Sequence, residues 1–462
     1  MRHSTRHAVL GLSALATVLG IEFLSLSVER QGYSLERFRA WSASVGSPAV
    51  FESAPGPTEP DTLEYRIARR LQHRLRMGGQ PSPALDLLAQ AVSERQHLLR
   101  KRTRVIFSTE ESAEHAVWDI TASRYPVWIQ PAFSFTAARF HISPIEILKS
   151  LRQDNVVSVL PPQDAFFTSI VKTSADGPLR GAIDGLAKPG YRLDTYGAVS
   201  AILLAFQTDQ PDVAVALTRV NGRIINRTDL NLGDLVLLST GQSNFRGSPA
   251  ARSANVRKAL REHVNNVIVP PGGTFSFVET LEGPVSESNG WRLAKVIFNG
   301  DELRLAPGGG ICQASTTVYR AIINAGLPVL ERRSHSLYVS YYKQYGVGID
   351  ATVFPGSQDL KFLNDTGNFI VVQSYDDGYD AYTSLYGTPD GRAVELNGPF
   401  FARTAPPELQ FKGRSIGMRE IAWTQRVRFP DGTVQDNVIL SAYKELPAGL
   451  SSEYALESWE GR

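Results

Sequence analysis

From Ile311 to Ile323 apolar residues recur at helical spacing. Ile311, Ala314, Val318 and Ile322 share one face, with Tyr319 and Ile323 beside them. Gly326 follows as a C-terminal cap and Pro328 blocks continuation, so the pattern predicts a helix from about Cys312 to Ala325. Beyond Pro328 the period changes to two. His335, Leu337, Val339 and Tyr341 alternate with Ser336, Tyr338, Ser340 and Tyr342, which predicts a strand with His335 on its apolar face. Residues 349–354, 360–363 and 369–375, punctuated by Asn364-Asp365-Thr366-Gly367 and Asp376-Asp377-Gly378, read as further strands joined by turns. The expected unit is a helix packed on an antiparallel sheet.

Upstream, 253–266 reads as helix, 270–273 as a turn and 274–277 as a short strand. Residues 63 to about 104 are helical in pattern, broken at Gly78-Gly79 and Pro81. Ser143 and Pro144 open a short helix as cap and first-turn proline, and Asp194 caps another. Asn221-Gly222 between two apolar runs predicts a hairpin turn. A last hairpin is expected from 423–429 and 438–443 around Pro430-Asp431-Gly432. The chain therefore reads as a multi-domain α+β protein. Its expected segments are 1–30, a signal anchor or signal peptide; 31–62, a linker whose stretch 43–62 is rich in Ala, Ser, Gly and Pro; 63–235, a mixed α/β domain; 236–400, the domain of the predicted helix; and 401–462, a C-terminal hairpin extension and tail.

Composition adds two constraints. A net charge of +2 over 462 residues argues for no nucleic-acid partner. The basic run 95–104 reads first as a solvated helix face, with an anionic wall polymer or lipid headgroup as the other reading. At the N-terminus, Arg2, His3, Arg6 and His7 precede an apolar stretch over 8–21, which Glu22 interrupts and 23–28 continue. A positive start before an apolar run is an export segment with its basic end in the cytoplasm. Residues 8–28 are just long enough to span a bilayer, and they read as an uncleaved anchor in preference to a cleaved signal. The bulk of the chain is thus expected outside the cytoplasm, held to the membrane by this segment.

Cys312 is the single cysteine. It follows Gly308-Gly309-Gly310 and stands at the start of the predicted helix, where unpaired N–H groups and partial positive charge favour a thiolate. Two readings stand side by side: a nucleophile, or a packed thiol after a tight turn. An export context, where unpaired thiols are unusual, favours the first. A nucleophilic thiol needs a base, and His335, on the next predicted element, is the best placed; the other reading is a core histidine bonded to a carbonyl. Asp350, in an otherwise apolar strand, is the candidate that orients the imidazole, or else a turn aspartate. The glycine loop with the N–H groups of Cys312 or Gln313 would supply oxyanion donors. No metal site can be assembled from this cysteine and histidine spacing, and acyl transfer of this kind calls for no cofactor.

The strings PPGGTFSF (270–277), PGGGICQASTTVYRAIINAGL (307–327), ERRSHSLYVSYY (331–342), DATV (350–353) and DLKFLNDT (359–366) together resemble the VanW family in wording, order and spacing. The resemblance covers about 236–375, and the region before it is similar to the peptidoglycan-binding-type domains that often precede VanW domains. Two departures are the alanine at 314, where valine is more usual, and the irregular stretch 343–348. The resemblance implies L,D-transpeptidase activity on peptidoglycan stem peptides, with Cys312 as nucleophile, His335 as its partner and Asp350 as the aspartate behind it. Gly308, Gly309, Gly310, Gln313 and Ser336 are then expected to bind substrate. The competing expectation is a non-catalytic wall-binding or scaffold protein linked to glycopeptide resistance.

Overall fold

The computed structural model describes residues 62–110, 112–153, 156–172, 177–450 and 456–459. The apolar segment 8–28 and nearly all of the expected linker lie outside them. Among the described residues no helix is long and apolar enough to cross a membrane. The chain divides into two compact units, one of residues up to 159 with 192–218, the other of 160–191 with 219 onward.

The first unit opens with helices Leu63–Met77 and Leu85–Arg100, parted where the glycine and proline signals place the break. Strand Arg102–Ser108 pairs antiparallel with Ala116–Thr121 and parallel with Asp212–Val220. Ser143 and Asp194 cap helices Pro144–Gln153 and Thr195–Thr208, each through its side-chain oxygen. Phe107, Trp128, Ile147, Ile202 and Phe206 are buried in its core.

The second unit is built on a seven-stranded sheet. Its order is Val236–Asn244, Asp380–Gly387, Ile370–Asp377, Val267–Val269, Leu179–Asp184, Ala165–Lys172, Ile224–Asn226. Neighbours run antiparallel except the last pair, which is parallel. The sheet thus draws strands from 165–184 and 224–226, so the segment 63–235 is shared between the two units. Three smaller elements surround it: the sheet Thr274–Ser276, Lys361–Leu363, Val329–Glu331; the hairpin Leu293–Phe298 with Glu302–Pro307; and the sheet Ala393–Phe401, Glu420–Arg428, Val434–Ala442.

Helix Ile311–Ala325 has the bounds the sequence predicts to within one residue, and it lies on the strand Val236–Asn244, which the sequence pattern did not single out. Gly326 closes it in a left-handed conformation (φ 67°), its N–H returning to the carbonyls of Ile322 and Ile323. Almost every helix residue is buried. Hydroxyls stitch helix to strand: Ser239 donates to the Ala321 carbonyl at 2.8 Å, and Ser243 and Thr317 share a 2.7 Å bond. Gly241 lets the two backbones meet; a Cβ there would stand 2.1 Å from the Thr317 carbonyl oxygen.

Three local expectations are corrected. Residues 335–342 form no strand: Val339 makes one isolated bridge and Ser340–Tyr342 is a short 3-10 turn. Tyr338 and Tyr342, read as the polar face, are as buried as Leu337 and Val339, so the segment is covered on both sides. Residues 349–354 likewise hold only isolated bridges. Asn221-Gly222 is no hairpin turn, because Asp212–Val220 and Ile224–Asn226 belong to different sheets. Gly222 is needed there for close approach: its N–H donates to the Lys188 carbonyl, and a Cβ would strike the Gln163 carbonyl oxygen.

Candidate active site

The glycine run places the thiol. Gly310 precedes the helix at φ 112°, a conformation that L side chains rarely adopt. Buried Asn255 holds the loop from beneath, donating to the carbonyls of Gly309 and Arg292 at 2.9 Å and accepting from the Arg292 N–H. Ile311 donates to the Gly308 carbonyl and Gln313 to that of Gly310. One turn on, Ser315 donates to the Ala351 carbonyl at 2.6 Å and Thr316 accepts from the Ala351 N–H. These bonds lay the 350–353 segment along the helix start. The Cys312 sulfur then lies 3.6 Å from the Thr352 hydroxyl and 3.5 Å from the Val353 carbonyl.

Thr352 also bridges to Arg333, its N–H donating at 2.8 Å, and this carries His335 to Asp350. One carboxylate oxygen of Asp350 takes both the backbone N–H of His335, at 2.7 Å, and the ring Nδ1, at 2.5 Å. The other oxygen accepts from the Tyr443 hydroxyl at 2.8 Å and faces Arg332 at 3.7 Å. With Nδ1 committed to the carboxylate, Nε2 is the nitrogen left for the thiol. His335 and Asp350 are 7% and 1% exposed, while Cys312 is half-buried.

Burial, ring bonding and charge compete at each group. For Asp350, burial would raise the carboxyl, but the bond and charge of His335, with Arg332, hold it down at about 2. Burial would lower the imidazole; the Asp350 carboxylate and the Cys312 sulfur overcome this and push it above its ordinary value. Burial would raise the thiol, and the hydrogen bond and charge of His335 bring it below its ordinary value instead. The three groups therefore favour a thiolate–imidazolium pair backed by an ionised carboxylate.

Residues 251–386 match the family described as VanW like protein. They form a VanW-like domain. Among curated proteins, the chain is 34% identical over 144 residues to the uncharacterized protein YoaR of Bacillus subtilis, covering 31% of this chain and 46% of that one. It is 26% identical over 186 residues to the vancomycin B-type resistance protein VanW of Enterococcus faecalis, covering 38% and 62%. The chain thus spans about half the length of the curated relatives it matches. No solved structure matches it.

The VanW-like domain holds Cys312, His335 and Asp350 together, and sets Gly308, Gly309 and Gly310 directly before the thiol. Gln313 and Ser336 point elsewhere. The Gln313 side chain is fully buried; its oxygen accepts from Arg252 at 3.0 Å and its nitrogen donates to the Asn244 carbonyl. Ser336 packs against Gly300 at the tip of the 293–307 hairpin, and its carbonyl accepts from the Lys444 N–H. Among the described residues no group of three or more His, Cys, Asp or Glu could hold a metal ion.

Sequence reasoning missed the residues that hold the three in place. Tyr443 lies beyond the family match and 93 residues from its partner. Arg332 donates to the Asp350 and Leu440 carbonyls, both at 2.8 Å, and so ties the DATV segment to the C-terminal strand. Arg320, buried within the helix, donates to five carbonyls, those of Gln242, Tyr342, Gln344, Gly346 and Ile349, at 2.6–3.0 Å. Tyr342, fixed by that loop, lays its ring 5.0 Å from the His335 ring. Arg332, three residues before His335, and Arg320, the one charged residue in the apolar helix, were visible signals; the tyrosine gave none.

Proposed function

We propose that this protein is an extracytoplasmic, cysteine-dependent L,D-transpeptidase that cross-links peptidoglycan stem peptides. The observation that carries the reading is His335, whose ring donates through Nδ1 to buried Asp350 and whose charge draws the Cys312 thiol below its ordinary value. A half-buried thiol followed by a buried imidazole and a buried carboxylate forms an activated nucleophile, its base and an orienting group. The relative named as a vancomycin B-type resistance protein supports a role at the cell wall.

In this reaction the Cys312 thiolate attacks the carbonyl carbon of the third stem residue, and the carbonyl oxygen takes the negative charge. The Ile311 and Gln313 N–H groups are engaged by Gly308 and Gly310, so the Cys312 N–H and the helix end are the first-turn elements left to meet that oxyanion. Collapse breaks the amide bond. His335 passes its proton to the departing amine and D-alanine leaves, with a thioester formed at Cys312. Neutral His335 then takes a proton from the amine of an acceptor stem as that amine attacks the thioester. The thiolate is expelled, a 3-3 cross-link is made, and the imidazolium is restored. Residues 8–28 would hold the protein to the membrane, and the region before the VanW-like domain would bind the wall.

The test is incubation of the purified full-length chain with tetrapeptide-stem muropeptides, read by mass spectrometry. The expected products are 3-3 dimers and free D-alanine, both lost in a folded Cys312→Ser variant. Cross-linking that survives in Cys312→Ser sinks the mechanism. A folded wild-type protein that binds muropeptides and leaves them unchanged favours the scaffold reading.

A further inference from the structure

Most partly or fully buried arginines of the second unit have their charge answered. Arg180 meets Glu282, Arg257 meets Asp376, Arg392 meets Asp365 and Asp390. Arg320 is saturated by five carbonyls. Arg252 is different. It is half-buried, and among the described residues no carboxylate lies within ion-pair distance of it. Its two terminal nitrogens donate only to neutral oxygens, Ser248 Oγ at 2.7 Å and Gln313 Oε1 at 3.0 Å. The guanidinium stacks 4.2 Å over the Tyr341 ring, which fixes its plane. A guanidinium carries five N–H donors in a rigid fork; two are used here.

The position of this charge is specific. The Arg252 stem lies against Gly310, whose added Cβ would be 2.9 Å from Arg252 Cγ, so the side chain runs over the loop that opens the cysteine helix. Its acceptor Gln313 is the residue after Cys312. Tyr341, under the guanidinium, adjoins Tyr342, whose ring lies 5.0 Å from the ring of His335, the partner of the thiol. Arg252 and the thiol thus face one region. A stacked, half-desolvated guanidinium with donors to spare is suited to a carboxylate, which it can engage by two parallel bonds.

We infer that Arg252 is the receptor for the C-terminal carboxylate of the donor peptide. This rests on the transpeptidase reading for its ligand. In that reaction the leaving residue bears a free carboxylate one residue beyond the attacked carbonyl, about 3.8 Å of backbone away. Its receptor must therefore border the thiol, on the side of the helix start. The same contact would reject peptides that end in an amide or continue further, because the guanidinium would then lose its one charged partner.

The experiment reads the thiol with two small electrophiles, so it does not depend on turnover. Iodoacetate and iodoacetamide both alkylate a thiolate with loss of iodide, and they differ in one carboxylate. In the full-length protein, Arg252→Gln is expected to lower the iodoacetate-to-iodoacetamide rate ratio by roughly tenfold, the loss of one charge-assisted contact. The iodoacetamide rate itself should stay within about twofold, because His335 still activates the thiol. An unchanged ratio in folded Arg252→Gln overturns the inference. Should that variant fail to fold, the wild-type protein decides: an N-acetyl peptide ending in D-alanine should protect Cys312 from iodoacetamide, and its C-terminal carboxamide should not. Equal protection by both, or by neither, overturns it. Muropeptides left unlinked by a protein with the expected ratio would remove the transpeptidase reading and leave the carboxylate receptor standing.

Discussion

The Tyr443 hydroxyl donates to Oδ1 of Asp350 across 2.8 Å, and both residues are buried. The carboxylate behind His335 is therefore completed by a strand end that lies outside residues 251–386. Tyr443 also packs its ring edge-on to Tyr338 at 5.2 Å. Tyr443→Phe keeps that packing and removes only the donor, leaving a buried carboxylate oxygen underbonded. The variant should lose about 1–3 kcal/mol of stability, measured by urea unfolding at neutral pH. Its thiol alkylation profile should also move toward higher pH, since a loosened carboxylate holds the imidazolium less well. A variant as stable as wild type with an unmoved profile would show that Tyr443 merely fills space.

Removing the imidazole should have a larger effect of the same sign. The Cys312 thiol lies below its ordinary value because His335 outweighs burial, so the thiolate persists at pH values where a free thiol is protonated. In His335→Ala burial remains and the compensating cation is gone, so the alkylation profile should rise to ~8.5 or above. His141→Ala, in the first unit, serves as the control and should leave it in place. The measurement is the rate of iodoacetamide labelling across pH 5 to 10, a window set to bracket that ordinary value of about 8.5. A profile that stays put in His335→Ala would assign activation to the helix end alone.

Much of this site was legible because its chemistry is local. The helix could be read from its apolar period and its Gly326 cap, and Cys312 from the glycines that precede it. What failed was the reading of 335–342. An alternating pattern predicts a strand only if one side meets water, and here tyrosines on both sides are buried. The segment is held by Arg320 donating into carbonyls rather than by a ladder. Gln313 looked available for substrate because it adjoins the thiol, yet helical geometry turns it inward, to Arg252 and Asn244. Tyr443 was invisible for a different reason. No periodicity or spacing links a residue to a partner 93 positions away.

The contact of helix and sheet makes its own prediction. Gly241 is extended backbone, so its requirement is one of space: a Cβ would lie 2.1 Å from the Thr317 carbonyl oxygen and 2.4 Å from the Ala321 nitrogen. Backbone cannot step aside as a side-chain tip can. Gly241→Ala should therefore push the cysteine helix off the strand and cost about 1–3 kcal/mol or more. The Ser243–Thr317 and Ser239–Ala321 bonds would stretch with it. Thermal unfolding of Gly241→Ala beside Gly272→Ala, where a Cβ meets nothing within 4 Å, separates the clash from the backbone strain of the second site (φ 69°). A Gly241→Ala variant no less stable than wild type would contradict the close approach.

Arg320 gives the most severe expectation. It sits 2% exposed with no carboxylate bonded to it, and burial lowers it to about 10 although Asp350 pulls it upward. It is therefore still charged at neutral pH, and its stabilisation comes from five carbonyl dipoles. Four of those carbonyls belong to 342–349, the loop between the His335 segment and Asp350. Arg320→Met keeps much of the volume and leaves those carbonyls without a donor in a buried place. The loss should reach about 4 kcal/mol or more, in the range reserved for broken buried networks. Arg320→Lys should recover only a part, because an ammonium has three donors and no planar fork. Chemical denaturation of both variants gives the stability order, and iodoacetamide labelling shows whether His335 still reaches Cys312. If Arg320→Met folds with wild-type stability and labelling, the loop is held by its tyrosines and the arginine is dispensable.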